Sequence, residues 1–556
     1  MNIKKILCVF FAVVFLFACA CGKSPDDTNS ITSSGSTDTI LEKAFSLLYC
    51  SSDPLNPYTA ASLVNRQLSS LIFDPLVRMT PEFQPEYILA KNIEPNGKTA
   101  VITLKTVFFS DGSQLTADDV VYSFNLAKES TLNYSASLSI VTSMKADGTD
   151  KITVTLSKAD PYFANLLDFP VIKSNSDKLT DQNKIPLPPI GSGRYVPDLG
   201  NAVLTANVSH IGGEPTIKTI NLINAPDNEV IKYNLETGSV SIYGSDLSDG
   251  IIPAMIGTTS AVSLNNLVYL GVNLNNSVLK NEKMRYAISE AIDRTAICTE
   301  SYHNYATPAT GLFNPVWEDA KGLQNISAVT NSQNIVAYFD ELGYNSKNAD
   351  GYYVDSKDRV LTLSLVSYSG NQRRLAAARL IKQQLEAVGI KISLHELDWD
   401  AYLSALSSKS FDLYIAEVML QNNMDVSNLV TAGGSLAYGI PMPAQILPEG
   451  TPNTTDTTDT TGAPGKDNVT TPPATEETTG NSSETDTAEE YTVGNAVSGF
   501  YNEQLSLIDI INAFNADMPL VPICYRSGVT VSDITLKSNR ISSANDVYFG
   551  ISNISR

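Results

Sequence analysis

Three histidines and six cysteines carry most of the metal-ligating and nucleophilic potential of this 556-residue chain. His210, His303 and His395 stand far apart, and His395-Glu396 lacks the second histidine that would complete a helical zinc site. Cys8, Cys19, Cys21, Cys50, Cys298 and Cys524 include no CxxC pair, so neither a zinc cluster nor a redox dithiol is spelled out. No GxSxG elbow, GxxxxGK[ST] phosphate loop or GxGxxG fingerprint occurs. A serine or cysteine nucleophile would have no obvious partner base. Among 59 acids a convergent carboxylate pair is left open, and Asp118-Asp119 is the most tempting doublet. It follows Thr116-Ala117 in the pattern of a capping box, where first-turn carboxylates face the positive end of a helix. The expectation is a protein that makes and breaks no bond and takes no cofactor and no resident metal.

Charge narrows the partners. With 38 basic against 59 acidic residues the formal charge is -21, which repels a phosphate backbone, so no nucleic-acid partner is expected. Much of that charge is local: ten acids and one lysine lie between Glu449 and Glu490, and 14 of the 40 residues from Thr451 to Glu490 are threonine. Such a tract cannot bury enough apolar surface to fold and should be disordered. It interrupts folded-looking sequence, which resumes at Tyr491 and Phe500.

The N-terminus opens with Lys4 and Lys5, runs apolar from Ile6 to Ala18 and turns polar at Gly22-Lys23-Ser24, the pattern of a secretory signal too short to span a membrane. Leu16-Phe17-Ala18-Cys19 resembles a bacterial lipobox, which makes Cys19 the expected lipidation site; Cys21, after Ala20, is the competing one. A lipid there would anchor the chain to a membrane face without a span. Ser24 to Asp38, rich in Ser, Thr, Asp and Gly, reads as a tether.

The elements that would position any site alternate between strand and helix. Thr99-Leu104 has strand composition, and a helix should follow Thr116 through Val120, Val121 and Phe124. Met284, Ala287, Ile288, Ala291 and Ile292 recur at helical spacing and read as core. Leu361, Leu363 and Leu365 alternate as a strand. Asn371 can cap a helix presenting Ala377, Ile381, Leu385 and Val388, Gly389 can end it, and Ile390, Ile392 and Leu394 alternate again. The fold class is α/β, and 556 residues, roughly four times a ~150-residue domain, leave room for several lobes.

Ordered strings carry a resemblance. Phe73-Asp74-Pro75-Leu76-Val77, the run Phe109 to Val120 (FSDGSQLTADDV), Gly191-Ser192-Gly193-Arg194-Tyr195 and Gly213 to Ile220 are similar, in that order, to segments of family 5 extracellular solute-binding proteins. Tyr269 to Asn273, Arg285 to Arg294, Ala306 to Ala309, Leu342-Gly343-Tyr344, Val388 to Ile392 and Phe411-Asp412-Leu413 continue the match. These are the oligopeptide, dipeptide and nickel binders of ABC importers. The resemblance implies a type II periplasmic-binding-protein fold of two hinged main lobes around a cleft plus an extra lobe.

It divides the chain into signal peptide (1–18), lipidated tether (19–42), lobe I (43–75), extra lobe (76–188), lobe I again (189–270), lobe II (271–447), insertion (448–490) and a return to lobe I (491–556). The implied partners are an oligopeptide or other small solute, ABC permease subunits and, through the lipid, a membrane; the implied location is extracytoplasmic. The resemblance also proposes ligand contacts. Trp399 matches an aromatic of the peptide binders. Gln421 falls where those relatives place the aspartate that receives a peptide's α-ammonium group, and Asp425 could serve in its stead. Tyr269 and Tyr58 are further candidates. A surface receptor or adhesion protein on the same scaffold, or a binder of a non-peptide solute such as a nickel chelate, stays open.

Overall fold

The computed structural model describes residues 44–132, 134–248, 253–254, 256–442, 492–536 and 542–554. The signal segment, Cys19, Cys21, the tether and the threonine-rich tract lie outside these residues. Among the described residues no helix is long and apolar enough to cross a membrane.

Three sheets organise the described chain. In the first, Ser46–Tyr49 pairs in parallel with Thr219–Asn224, and Val203–Ala206 and Tyr195–Asp198 follow antiparallel. Strands some 170 residues apart in sequence are thus neighbours, and Leu47 and Ile220 are fully buried in the core they share. The second sheet is an antiparallel set in the order Ala90–Asn96, Thr99–Leu104, Lys151–Leu156, Val141–Asp147. Thr99–Leu104 forms as expected, with Ala100, Ile102 and Leu104 turned inward, as a one-sided strand requires. Helix Ala117–Glu129 packs on this sheet. Its capping box forms: the backbone N and Oγ1 of Thr116 donate to Asp119 Oδ2 at 2.9 and 2.8 Å. Asp119 is spent on this cap and on the Ser174 amide, 2.9 Å from its other oxygen.

The third sheet has seven strands. Its spine is the antiparallel pair Thr258–Val272 and Leu520–Ser532, irregular in register between Ser263 and Leu267 and between Val268 and Tyr269. Ile242–Ser245 and Ala306–Pro308 pair with the second spine strand, and Leu413–Met419, Thr362–Tyr368 and Lys391–Leu397 extend the sheet beyond the first. The last three run parallel to one another, and helix Gln372–Val388 connects two of them. Asn371 caps it by accepting from the Arg374 amide at 3.0 Å, and Gly389 ends it at a φ of 111°, a left-handed conformation that a side chain would strain. Helix Glu282–Ala291 buries Met284, Ala287, Ile288 and Ala291, the expected stripe. Helix Val493–Tyr501, beyond the threonine-rich tract, packs against Ser427–Val430.

Gly191-Ser192-Gly193-Arg194 links the second sheet's region back to the first sheet. Gly193 donates to Ile72 O at 2.9 Å, so close that a Cβ would sit 2.4 Å from the Ile72 carbonyl carbon. Arg194 is almost fully buried: Nη2 reaches Asp546 Oδ2 and Ser70 O, both at 3.0 Å, while Nη1 reaches Tyr548 O and Phe549 O at 3.1 and 3.2 Å. One guanidinium therefore ties this crossing to the C-terminal segment.

Candidate functional site

The carboxyl ends of parallel strands are where open α/β sheets expose loops and helix starts to a ligand. At the ends of Thr362–Tyr368 and Lys391–Leu397 two helices begin, Gln372–Val388 and Trp399–Ser407. Asp398 caps the second by accepting from the Ala401 amide at 2.9 Å, which sets Trp399 as its first residue. The indole meets Tyr368 edge-on at 5.1 Å between centroids and stacks near Tyr402 at 6.0 Å, yet it is 49% exposed. It is a wall fixed from behind and open in front. Behind it Tyr402 spends its hydroxyl on Ile415 O at 2.8 Å.

Arg374, in the first turn of Gln372–Val388, offers chemistry that the sequence reading did not single out. Its buried Nε has no hydrogen-bond partner. Burial pushes the Tyr269, Tyr302 and Tyr402 hydroxyls up; the Arg374 charge draws all three back, after the Tyr414 hydrogen bond in the case of Tyr269. A second cluster lies in the loop after Leu413–Met419. Met424 takes a left-handed φ of 57° there, and the loop turns its polar side chains toward the second sheet's region. Gln421 Oε1 accepts from Ser137, Asn422 Nδ2 donates to Asp168 at 2.9 Å, Asn423 Nδ2 to Asp160 at 2.7 Å, and Asp425 Oδ2 receives Lys158 Nζ at 2.6 Å. Burial pushes Asp160 and Asp168 up to about 6. It also pushes Asp425 upward, but Lys158 and Ser427 outweigh it and hold that carboxyl below its ordinary value.

The five candidate residues thus occupy three settings. Gln421 and Asp425 share the polar loop. Trp399 stands at the strand ends with Tyr269 behind its neighbours, since Tyr269 is buried and packs edge-on against Tyr414 at 6.0 Å. Tyr58 is apart from both: it is buried, packs against Tyr134 at 5.9 Å and donates its hydroxyl to Pro170 O. Lys158, Asp160, Asn423 and Arg374 escaped the sequence reading. The partners of the first three lie too far away along the chain, 267 residues for Lys158 and 263 for Asp160, for any local pattern to mark them. Among the described residues no group of three or more His, Cys, Asp or Glu could hold a metal ion.

A family model described as bacterial extracellular solute-binding proteins, family 5 Middle, matches residues 82–438. The oligopeptide-binding protein AppA of Bacillus subtilis is 23% identical over 378 residues, 62% of this chain and 67% of that protein. The glutathione-binding protein GsiB of Salmonella paratyphi A is 23% identical over 276 residues, 47% of this chain and 54% of that protein, so the chain spans about half the length of this second relative. An unliganded open form of the periplasmic murein tripeptide binding protein MppA superposes with a TM-score of 0.67 at 15% identity, covering 92% of this chain and 98% of the other. NikA from Brucella suis in complex with Fe(III)-EDTA superposes with a TM-score of 0.60 at 16% identity, covering 92% and 99%. These likenesses show the periplasmic-binding-protein fold expected from the ordered strings.

Proposed function

The chain belongs to the bacterial extracellular solute-binding proteins of family 5, and on that premise we propose that it is the substrate-binding component of an ABC importer. It captures oligopeptides between lobe I (43–75 with 189–270) and lobe II (271–447), beside the extra lobe (76–188), and hands them to a membrane permease. A lipid on Cys19 holds it on the extracytoplasmic face of the membrane. The observation that carries this reading is the family match across 82–438, joined by a relative that is an oligopeptide-binding protein.

The mechanism is a population shift. A solute that touches both lobes binds the closed arrangement better than the open one and moves the equilibrium by that difference in affinity. Trp399 supplies a flat apolar wall that tolerates varied side chains. Gln421 and Asp425 meet the solute where lobe II approaches the extra lobe. Tyr269 and Tyr58 act from behind, holding Tyr414 and Pro170 in place.

Native mass spectrometry of the purified chain, followed by thermal melting with a peptide library, tests the reading. A co-purified peptide and a rise in melting temperature are expected. A library that shifts nothing, with no retained peptide, overturns it. Cys19→Ala should release the protein from the membrane, with Cys21→Ala as the comparison.

A further inference from the structure

Two cysteines far apart in sequence meet in the fold. Cys298 lies in helix Arg294–Glu300 and Cys524 in the spine strand Leu520–Ser532, and both are buried thiols. Hydrogen bonds lay the helix along the strand. At its start Arg294 Nε donates to Pro522 O at 2.8 Å. Past its end the Asn304 amide turns back to Cys298 O at 3.0 Å, and the Ser527 amide donates to Tyr305 O at 2.9 Å. Cys298 stands four residues after Arg294 on the same helix face, a rise of about 6 Å. Cys524 stands two residues after Pro522 on the same strand face, about 6.8 Å on. The two steps match, so the thiols continue the contact that Arg294 and Pro522 begin, and they lie within hydrogen-bonding reach of each other. Pro308, from the strand that follows the helix, pairs with Cys524 and stops the two elements from sliding. Cys50 is elsewhere, buried in a separate cluster with Leu48 and Val64.

We propose that Cys298 and Cys524 are a cross-linking site, joined by a disulfide in the exported protein and stapling helix Arg294–Glu300 to the spine of the third sheet. The oxidant is a disulfide, small or protein-borne, of the kind an oxidising compartment supplies. One cysteine attacks it as the thiolate and expels one sulfur, and the second cysteine then displaces the other. The chain gives up two protons and two electrons, and the oxidant leaves as two thiols. Burial pushes the Cys524 thiol well up, and the Cys298 thiol beside it adds to the effect, so thiolate is scarce once the chain has folded. The bond is therefore made during folding, before the pair is covered. It closes the whole stretch from 298 to 524, threonine-rich tract included, and so removes conformations from the unfolded chain. Its presence in the exported protein rests on the extracytoplasmic reading above; the juxtaposition of the thiols does not.

The test uses the whole chain, exported by a bacterial host and unfolded in urea with iodoacetamide and no reductant. A peptide map should show the Cys298 peptide joined to the Cys524 peptide, with Cys50 alkylated. Alkylation of both Cys298 and Cys524, or a bond from either to another cysteine, overturns the proposal. Refolding the reduced chain with oxidised glutathione then tells where it failed: a Cys298–Cys524 bond formed there faults the compartment, and none faults the geometry. A chain folded first and given oxidised glutathione afterwards should gain the bond at least about tenfold more slowly than one refolded in it, and equal rates overturn its formation before burial. Reductant should lower the melting temperature of the wild type by about 5 °C and leave that of Cys298→Ala unchanged. A cross-linked wild type that melts alike with and without reductant overturns the staple. Should Cys298→Ala fail to fold, the peptide map and melting of the wild type decide without it.

Discussion

Asn423 donates its side-chain amide to Asp160 over 2.7 Å and so joins the loop after Leu413–Met419 to the segment after Lys151–Leu156. The carboxyl it meets is pushed up to about 6, chiefly by burial and further by Asp425, against the pull of Asn423, the Tyr162 amide and Lys158. In the unfolded chain the same group titrates near its ordinary 3.8. The folded form therefore binds more protons across this window, and the contribution of Asp160 to stability is complete below about pH 4 and lost as pH rises through 6. Asp160→Asn should gain about 1–3 kcal/mol relative to wild type between pH 4 and pH 7. Urea unfolding of both proteins across that range checks the sign; a difference that does not change with pH contradicts it.

Arg194 and Asp546 form a buried ion pair at 3.0 Å, and Arg194 also serves three backbone carbonyls. Arg194→Ala leaves the buried Asp546 carboxylate with only the more distant Arg78, at 3.8 Å, and strands three acceptors, so a loss of about 3–5 kcal/mol is expected. Adding Asp546→Asn should recover part of it, because the poorly compensated charge goes too. A double-mutant cycle by urea unfolding measures the coupling.

Gly193 has no room for a methyl group against Ile72, whose backbone cannot retreat as a side chain could. Gly193→Ala should cost about 1–3 kcal/mol through overpacking, read as a fall in urea midpoint at unchanged slope.

The two tryptophans report on different places. Trp317 is buried within Phe313 and Tyr162, while Trp399 is half exposed. Trp399→Phe should leave a single blue-shifted emission that acrylamide quenches poorly, and Trp317→Phe should leave the quenchable one. A peptide covering Trp399 should then reduce quenching in Trp317→Phe alone. Loss of the Trp399 contacts to Tyr368 and Tyr402 should cost only about 0.5–1.5 kcal/mol.

What could be read without coordinates was local. Thr116 and Asp119 announce a helix start because both halves of the box lie within four residues, and Asn371 and Gly389 bracket a helix because each solves a terminus problem on the spot. The strand Thr99–Leu104 follows from its β-branched composition. Trp399 was half legible: the resemblance marks it as a candidate aromatic, but only the fold shows it packed on one side by Tyr368 and Tyr402 and open to solvent on the other. The polar loop was least legible. Gln421 and Asp425 could be named as candidates, yet their partners Ser137 and Lys158 lie 284 and 267 residues away, where no periodicity reaches. Arg194 shows the same limit, since nothing around Gly191-Ser192-Gly193 signals a carboxylate 352 residues later.

The threonine-rich tract is flanked by Met442 on one side and Thr492 on the other. Both shores are moored to one body. Before the tract, Leu274 donates to Gly439 O at 2.9 Å beside the spine strand; after it, Gly494 would place a Cβ 3.0 Å from Val430 O. Whatever length of chain joins two such points adds little closure entropy, so this is a permissive port. A fluorescent domain grafted between 448 and 490 would ride as a passenger on the contact of Val493–Tyr501 with Ser427–Val430, and its brightness would report how much folded protein a cell carries.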